Sequence, residues 1–332
     1  MAKLGVVLLN LGAPATLNDI RPFLRALFSD RDLFPRFFRA FLAPPIAMVR
    51  AIQDRPQYRA IGGGSPLLAT TQTQADLLKA ALPLKLHANV YIGMRYSPPT
   101  ISDALLQAMK DGVDTILLLP LYPQYSLTTT YSSLKEVERQ KDRLEFKPKA
   151  VHIIRSYPTQ EDFIEAHRLR IQEALETLPP STPERFGLVF SAHGIPLSFV
   201  KKGDPYPSEV KHTMEAVLKA LREKGPMDAS FLERAHIRLS FQSKVGPVRW
   251  LAPSTIETVR KLGQEGVKSV LVVPVSFVSD HMETLYELGI QLKKEALGAG
   301  IPNFRVAQGL NNSPSFILAL AKLTMKALED AL

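Results

Sequence analysis

The chain has 332 residues, of which 45% are hydrophobic and 22% charged, with 41 Lys and Arg against 32 Asp and Glu for a formal net charge of +9. This is the composition of a globular protein with room for two domains of about 150 residues each, and the positive charge favours anionic partners. The sequence contains no cysteine, which excludes disulfides, thiolate zinc sites, iron–sulfur clusters and cysteine nucleophiles within these residues.

The sequence supports neither a nucleic-acid-binding protein nor a secreted or membrane-spanning one. The basic residues are spread along the chain without a Lys/Arg run or zinc-finger spacing, so we do not expect a nucleic-acid partner. The first ten residues enter an apolar strand pattern directly, and no apolar run approaches the ~20 residues of a membrane span. We therefore expect a cytoplasmic protein.

Short apolar runs alternate with longer helical patterns from the N-terminus onward. The runs predict strands at Gly5–Leu9, Asn89–Gly93, Thr115–Leu119, Ala150–Ile154, Leu188–Ser191, Ile237–Phe241, Ser269–Val273 and Phe304–Val306. The intervening patterns predict helices at Pro66–Leu82, Ile101–Lys110, Gln160–Thr177, Pro207–Lys224, Thr255–Glu265, Glu283–Ala296 and Pro314–Leu328. Several strands are continuous Val, Ile and Leu runs, as in parallel sheets buried on both faces. The alternation predicts the α/β class.

The two halves of the chain resemble each other. Residues 5–14 match 187–196, and residues 112–120 match 266–274. We therefore predict two similar doubly wound domains, each with a parallel four-stranded sheet, and a cleft between them. The first would span 1–156 with an active-site lip at about 27–66, the second 157–311, and a last helix in 312–332 would pack back on the first domain.

Ligands of open parallel sheets bind beyond the carboxyl ends of the strands, and His193 stands at one of these ends, in Ser191-Ala-His-Gly-Ile-Pro196. A neutral imidazole accepts a proton or ligates a metal near pH 7, and the following glycine lets backbone approach a ligand. The alternative is a strand-end histidine that bonds a neighbouring carbonyl. The equivalent position in the first half is Leu11.

A second candidate follows the strand that ends at Val273. In Phe277-Val-Ser-Asp-His-Met-Glu-Thr-Leu-Tyr-Glu287, we expect Asp280 to cap a helix that carries His281 and Glu283. The alternative is a capped helix with solvated acids, and Glu287 is expected to be one of these. Glu283 matches Thr129 of the first half, so ionisable groups occupy these places only in the second half.

Two segments of the first half present further candidates. Ile61-Gly-Gly-Gly-Ser-Pro66 either binds an anion through backbone N–H groups or forms a turn and a helix cap. The stretch 33–49 mixes aromatic residues with arginines, so it forms a lip over an apolar ligand, an amphipathic element on a membrane surface, or a core helix interrupted by Pro44-Pro45.

The segments 121–126 and 242–250 also follow predicted strands, and the second contains the single tryptophan, Trp250. Trp250 either contributes to a site or packs in the core. From the residues alone, the chain is a two-domain α/β protein that binds a flat or apolar anion.

Five motifs together resemble the ferrochelatases, the iron-inserting enzymes of haem synthesis. They are Ser-Ala-His-Gly-Ile-Pro (191–196), Gly-Asp-Pro-Tyr-Pro (203–207), Phe-Gln-Ser-Lys-Val-Gly-Pro (241–247), Trp-Leu-x-Pro (250–253) and Ser-Asp-His-Met-Glu-Thr-Leu-Tyr-Glu-Leu (279–288). They occur in the order and spacing of the family, and the resemblance extends from Leu9 to about Asn311. It implies a chelatase-like fold and an enzyme that inserts Fe²⁺ into a free-base porphyrin, protoporphyrin IX being favoured.

The resemblance also implies roles for individual residues. His193 would accept pyrrole protons, Glu283 would sit opposite it across the cleft, and both would contact the metal, with Asp280 and His281 behind them. The porphyrin-binding residues would be Arg50, Tyr58 and Ser65 for carboxylates, and Arg95, Tyr96, Tyr122, Ser126, Trp250, Leu11, Leu27, Phe28 and Leu33 for the cleft and the macrocycle.

The sequence departs from the family in two respects. Many members hold an iron–sulfur cluster with four cysteines, but Leu127 stands at one of those positions and the cysteine-bearing tail is absent. We therefore expect no permanent cofactor, with Fe²⁺ as a substrate, and a monomer rather than a homodimer. Leu11 stands where relatives carry Met or Tyr, so no axial ligand is expected there. Peripheral membrane contact would involve 33–49.

Several alternatives stay open from the sequence. Within the class, the substrate is coproporphyrin III, or the protein is a cobalt or nickel chelatase of another tetrapyrrole. From a different class comes a two-lobed protein that binds porphyrin without inserting metal.

Overall fold

The computed structural model describes residues 3–243 and 248–329. The chain falls into two compact units, one formed by the residues up to Tyr157 together with the chain from Phe316 onward, the other by Pro158–Ser315. The motif residues Lys244–Pro247 lie outside the described residues.

The first unit contains a four-stranded parallel sheet. Its strands are β1 (Leu4–Asn10), β2 (Asn89–Met94), β3 (Thr115–Pro120) and β4 (Ala150–Ile153), in the order β2-β1-β3-β4. Its helices are α1 (Ile20–Phe28), α2 (Ala43–Ala60), α3 (Leu67–Ala81), α4 (Ile101–Lys110) and α5 (Ser132–Arg143). Two π-helical turns, π1 (Phe38–Leu42) and π2 (Leu127–Tyr131), precede α2 and α5, and a short 3₁₀ turn spans Leu84–Leu86.

The second unit repeats this topology. Its strands are β5 (Phe186–His193), β6 (His236–Gln242), β7 (Ser269–Pro274) and β8 (Asn303–Val306), all parallel in the order β6-β5-β7-β8. Its helices are α6 (Glu161–Leu175), α7 (Leu197–Lys201), α8 (Tyr206–Lys224), α9 (Ala229–Arg234), α10 (Thr255–Gln264) and α11 (Lys293–Gly298), with a 3₁₀ turn at Pro183–Arg185. The π-helical segment π3 (Glu283–Leu292) precedes α11, and α12 (Pro314–Glu329) ends the described chain.

The predicted α/β fold with two parallel four-stranded sheets is confirmed. The central strands are apolar because both faces are covered, and every residue of β1 and of β7 is buried. The repeat is also visible in register, since Leu9 pairs with Pro120 in the first sheet and Ser191 pairs with Pro274 in the second. His193 and Glu283 therefore occupy the places that Leu11 and Thr129 occupy in the first unit.

Capping motifs repeat as well. Thr100 and Asp103 form a capping box at the start of α4, and Ser254 and Glu257 form the equivalent box at the start of α10. Each box satisfies backbone N–H groups that the first helical turn leaves unpaired. The same start signal thus fixes the helix that follows β2 and the helix that follows β6.

Two helix predictions need correction. The predicted helix Glu283–Ala296 is π-helical over its first ten residues and α-helical only in α11, a distinction that apolar periodicity does not resolve. The prolines at 44 and 45 do not interrupt a core helix. They lie at the start of α2, directly after π1, and the chain stays helical through them.

Candidate functional site

The backbone of His193 is fixed at the end of β5. Its N–H donates to the Ser276 hydroxyl at 2.9 Å, and its carbonyl accepts from the Tyr206 hydroxyl at 2.9 Å. Glycine is required at 194, because a Cβ there would lie 2.9 Å from the Gln242 carbonyl oxygen and 3.4 Å from the Trp250 ring. The backbone around His193 is therefore set by a close packing that only glycine permits.

The His193 ring is paired with Glu283, the first residue of π3. Nδ1 lies 2.9 Å from Glu283 Oε2, with 36% of the histidine side chain and 19% of the glutamate side chain exposed. Among the described residues no hydrogen bond is made by Nε2, which is thus the ring atom left for a ligand. The expectation of two groups on opposite sides of a cleft is wrong. Because β5 and β7 are neighbours, the segments after these strands meet, and the two side chains touch.

The pair is electrostatically coupled. Burial opposes ionisation of His193, but the charge and hydrogen bond of Glu283 outweigh it and raise the pKa of His193 above its ordinary value. Burial likewise opposes ionisation of Glu283, but His193 and His281 hold the pKa of this carboxyl far below its usual range. Glu283 is therefore a carboxylate at neutral pH.

Asp280 and His281 support Glu283, but not as a helix cap. The Asp280 carboxylate accepts from the Thr284 hydroxyl at 2.9 Å, from the Gly309 N–H at 3.1 Å and from the Asn311 amide at 2.7 Å. His281 Nδ1 lies 3.2 Å from the Ser279 carbonyl oxygen, to which it donates, and this orients Nε2 to within 3.6 Å of Glu283. Asp280 thus ties the start of π3 to the loop after β8.

The structure adds Glu287 to this group, a residue expected to be solvated. Its Oε2 accepts from the Ser243 hydroxyl at 2.6 Å. Burial and the charge of Glu283 raise the pKa of Glu287 to about 7, although the Ser243 hydrogen bond lowers it in part. The spacing of four residues from Glu283 along a helical segment was the available signal, because it places both acids on one face.

Trp250 lies beside the turn that follows β5. It forms an antiparallel bridge with Pro196, and backbone hydrogen bonds join Leu197 to Arg249 and Leu251 to Ile195. The Trp250 ring is half-buried and approaches Gly194. The structure therefore brings Trp250 close to the residue that follows His193.

In the first unit, Arg95 and Tyr96 are held by acids of the same unit. Arg95 Nη2 lies 2.9 Å from Asp30 and 3.7 Å from Asp32, and Nη1 lies 3.6 Å from Glu136. The Tyr96 hydroxyl also donates to Asp30. The Arg95 side chain is only 10% exposed, and the three acids compensate its charge within the protein. Its guanidinium therefore already binds carboxylates of the protein itself.

The residues predicted to bind carboxylates lie on α2 and at the start of α3. Arg50 pairs with Asp54 at 3.4 Å, and Tyr58 is buried one turn further along the same face. The Ser65 hydroxyl accepts from the Leu67 N–H at 3.3 Å. Among the alternatives for residues 61–66, the turn fits best, since Gly62 and Gly63 donate to the α2 carbonyls of Arg59 and Tyr58.

The remaining residues of the predicted porphyrin site are distributed over three parts of the first unit. Phe28 is buried against Phe34 and Phe38 at ring distances of 6.0 and 6.5 Å, whereas Leu11, Leu27 and Leu33 are half-buried. The Ser126 hydroxyl accepts from the Thr128 N–H at 3.1 Å. Burial raises the pKa of Tyr122, so this phenol stays neutral.

Comparison with known proteins decides the family. A family model described as Ferrochelatase matches residues 3–328. Ferrochelatase-2, chloroplastic, of Oryza sativa subsp. indica is 42% identical over 98% of this chain, and ferrochelatase-1, chloroplastic/mitochondrial, of Arabidopsis thaliana is 41% identical over 99%. The ferrochelatase of Nostoc punctiforme is 39% identical over 99% of this chain and 84% of its own length. The chain belongs to the ferrochelatase family.

The match to the longer plant ferrochelatases is partial on their side. This chain spans 62% of the length of the rice protein and 70% of the Arabidopsis protein.

Two solved structures share the fold. SirB from Bacillus subtilis with Fe³⁺ aligns at a TM-score of 0.54 and 15% identity, covering 98% of this chain and 96% of that chain. The sirohydrochlorin chelatase SirB of subspecies spizizenii in complex with cobalt aligns at 0.54 and 12%, covering 99% and 97%.

Proposed function

We propose that this member of the ferrochelatase family inserts Fe²⁺ into a free-base porphyrin, with protoporphyrin IX favoured. The observation that carries the proposal is the His193–Glu283 pair, in which a carboxylate and an imidazole touch at 2.9 Å where β5 ends and π3 begins. In the reaction, the porphyrin loses two pyrrole N–H protons as Fe²⁺ takes their place, so a dianionic ring binds the dication and two protons leave.

The pair suits both requirements of that reaction. A proton acceptor must lie within hydrogen-bond reach of the pyrrole nitrogens, and a histidine whose other nitrogen is bonded to a carboxylate is oriented and made more basic. A carboxylate oxygen and an imidazole nitrogen are also suitable ligands for ferrous iron. We assign His193 to proton acceptance and both residues to metal contact, with Asp280 and His281 as their supports.

We propose that the protein holds no permanent cofactor and no iron–sulfur cluster, for which its sequence has no cysteine. Iron is then a substrate that the His193–Glu283 pair contacts on its way to the four ring nitrogens.

The test is an iron-insertion assay with two porphyrins, protoporphyrin IX and coproporphyrin III, followed by absorbance and by porphyrin fluorescence. Wild type should metallate at least one of them, and the faster substrate identifies the natural class. His193→Ala should lower kcat by at least about 100-fold, because general-base contributions are of that size. Porphyrin affinity, measured by fluorescence titration, should change little.

The exposed His212 on α8 offers a matched control. His212→Ala removes an imidazole from the same unit and should insert iron at the wild-type rate. Failure of wild type on both porphyrins would reject the proposed reaction. Full turnover by His193→Ala would reject the role of His193 alone.

We further propose that the protein works as a cytoplasmic monomer that contacts a membrane surface through residues 33–49, without a nucleic-acid partner. The described residues contain no helix long and apolar enough to cross a membrane. Within 33–49, the side chains of Phe37 and Phe41 are each 67% exposed and those of Met48 and Val49 are more than half exposed. Arginines flank these apolar residues, a pattern that suits an anionic lipid interface.

A further inference from the structure

Asp54 occupies a position on α2 where an acid is not expected. Ala43, Ala47 and Tyr58 form the rest of the buried stripe of this helix, and the Asp54 side chain is only 4% exposed. Burying a carboxylate costs free energy unless charged or hydrogen-bonding partners compensate it. If the residues around Asp54 compensate its charge, the acid has a structural role; if they do not, a functional role has to be considered.

Compensation of the Asp54 charge is incomplete. Among the described residues its one ion pair is with Arg50, one turn upstream, at 3.4 Å between Oδ1 and Nη2, and the geometry is too poor for a hydrogen bond. Burial raises the pKa of Asp54 above its ordinary value, although the Arg50 charge lowers it in part. A residue that served only to stabilise the fold would gain little from this arrangement.

Arg50 is likewise only partly engaged. Its side chain is 42% exposed, so the guanidinium is accessible from outside, and its Nε–H is buried without a partner among the described residues. An arginine that binds a carboxylate well uses two N–H groups in parallel. The Arg50 guanidinium can thus bind a second anion while its Nη2 lies near Oδ1 of Asp54.

We propose that Asp54 is a specificity-determining residue that competes with substrate carboxylates for the Arg50 guanidinium. The proposal rests on the proposed function and on the expectation, implied by the resemblance to the ferrochelatases, that Arg50 binds a porphyrin carboxylate. An incoming carboxylate must share or displace the Asp54 contact and meets the repulsion of a like charge. Asp54 therefore weakens binding of carboxylate-bearing porphyrins and does not touch the reacting atoms.

The experiment measures Asp54→Asn, which removes the charge and keeps the size of the side chain. With protoporphyrin IX, Asp54→Asn should lower KM by about 3- to 5-fold, the range of a half-exposed ion pair, and leave kcat unchanged. With the dimethyl ester of the same porphyrin, which lacks free carboxylates, KM should equal that of wild type. Asp54→Glu keeps the charge and should keep KM near wild type.

Two controls make the result specific to Arg50. In an Arg50→Gln background, Asp54→Asn should no longer change KM, because the group competed for is gone. Asp76 on α3 is an exposed acid of the same unit, and Asp76→Asn removes the same charge from the protein without affecting KM. An equal decrease from Asp76→Asn would attribute the effect to net charge and overturn the proposal.

Fluorescence titration of protoporphyrin IX and its dimethyl ester provides a readout that does not depend on turnover. If wild type inserts no iron, the proposed reaction fails, yet a tighter Kd of Asp54→Asn for the free acid alone would still support competition at Arg50. If wild type inserts iron and Asp54→Asn binds the free acid no more tightly, this inference fails and the proposed function stands.

Discussion

Two histidines of the second unit show how surroundings decide the chemistry of one residue type. His193 touches the Glu283 carboxylate, which raises the pKa of its ring. His167, on α6, is 2% exposed, packs edge-on against Phe163 at 4.8 Å, and has an Nε2 without a partner among the described residues. Burial without a charged neighbour lowers the pKa of His167 to about 3. A carboxylate neighbour therefore gives His193 a raised pKa, whereas burial alone gives His167 a lowered one.

His167 makes stability depend on pH. Its folded-state pKa of about 3 lies below the unfolded value of about 6.5, so the unfolded chain binds more protons and stability falls as pH drops from 6.5 towards 3. The loss amounts to about 2 kcal/mol between pH 7 and pH 5. His167→Leu should remove it, so the difference in Tm between variant and wild type should grow in favour of the variant at pH 5. Parallel pH profiles in thermal melts would contradict this.

In the segment that leads into π1 and α2, the surroundings rather than the composition also decide which apolar side chains are buried. A stretch as apolar as residues 37–49 would be core on composition alone, yet Phe37, Phe41, Leu42, Met48 and Val49 are exposed. These exposed apolar side chains, with arginines beside them in the sequence, are the basis of the proposed membrane contact. At the equivalent place of the second unit, the chain between β5 and α8 forms only the short α7. The exposed apolar segment is therefore specific to the first unit and is not part of the structural repeat.

The exposed apolar side chains of residues 37–49 predict that the protein binds lipid vesicles and that Phe37 and Phe41 contribute much of the affinity. Wild type should co-sediment with vesicles containing phosphatidylserine and less with neutral phosphatidylcholine. The double variant Phe37→Ser/Phe41→Ser should bind at least about 10-fold more weakly, because each buried phenylalanine contributes roughly 1.5–3 kcal/mol. Leu84→Ser is the control, since Leu84 is 94% exposed in the same unit but outside this segment. Equal vesicle binding by all three proteins would rule out the surface.

At the scale of the whole molecule, the chain returns to its first unit at the end. Residues from Phe316 onward belong with those up to Tyr157, although 158 residues of the second unit separate them. On α12, Phe316 and Leu320 are fully buried. The stability of the first unit therefore depends on a helix that follows the second unit in the sequence.

Phe316→Ala should test this dependence. Truncating a fully buried phenylalanine costs about 3–5 kcal/mol through lost burial and the cavity left behind, which should lower Tm by roughly 6–12 °C. Leu318 lies on the same helix and is 47% exposed, so Leu318→Ala should change the free energy of unfolding by less than about 0.5 kcal/mol. Similar losses from both variants, in thermal or urea unfolding, would contradict the buried role of Phe316.

Local signals account for most of what the sequence predicted. Apolar runs and the repeat between the halves predicted eight strands within one or two residues of those observed, because buried parallel strands are specified by short stretches of chain. The same stretches singled out His193 and Glu283 as candidates, since the residues at the ends of parallel strands converge at one edge of the sheet, and only the resemblance to the family implied their roles.

Only the tertiary structure decided what these side chains meet. The contact of His193 with Glu283, the contact of Glu287 with Ser243 and the ion pair of Arg95 with Asp30 join separate segments, and the burial of Asp54 depends on solvent exclusion. Hydrogen-bond partners and desolvation set the charge of a group, and neither is a property of local sequence. The sequence by itself determined the two sheets and singled out His193 and Glu283 as candidates, and the folded packing decided that these two side chains touch and which charges are compensated within the protein.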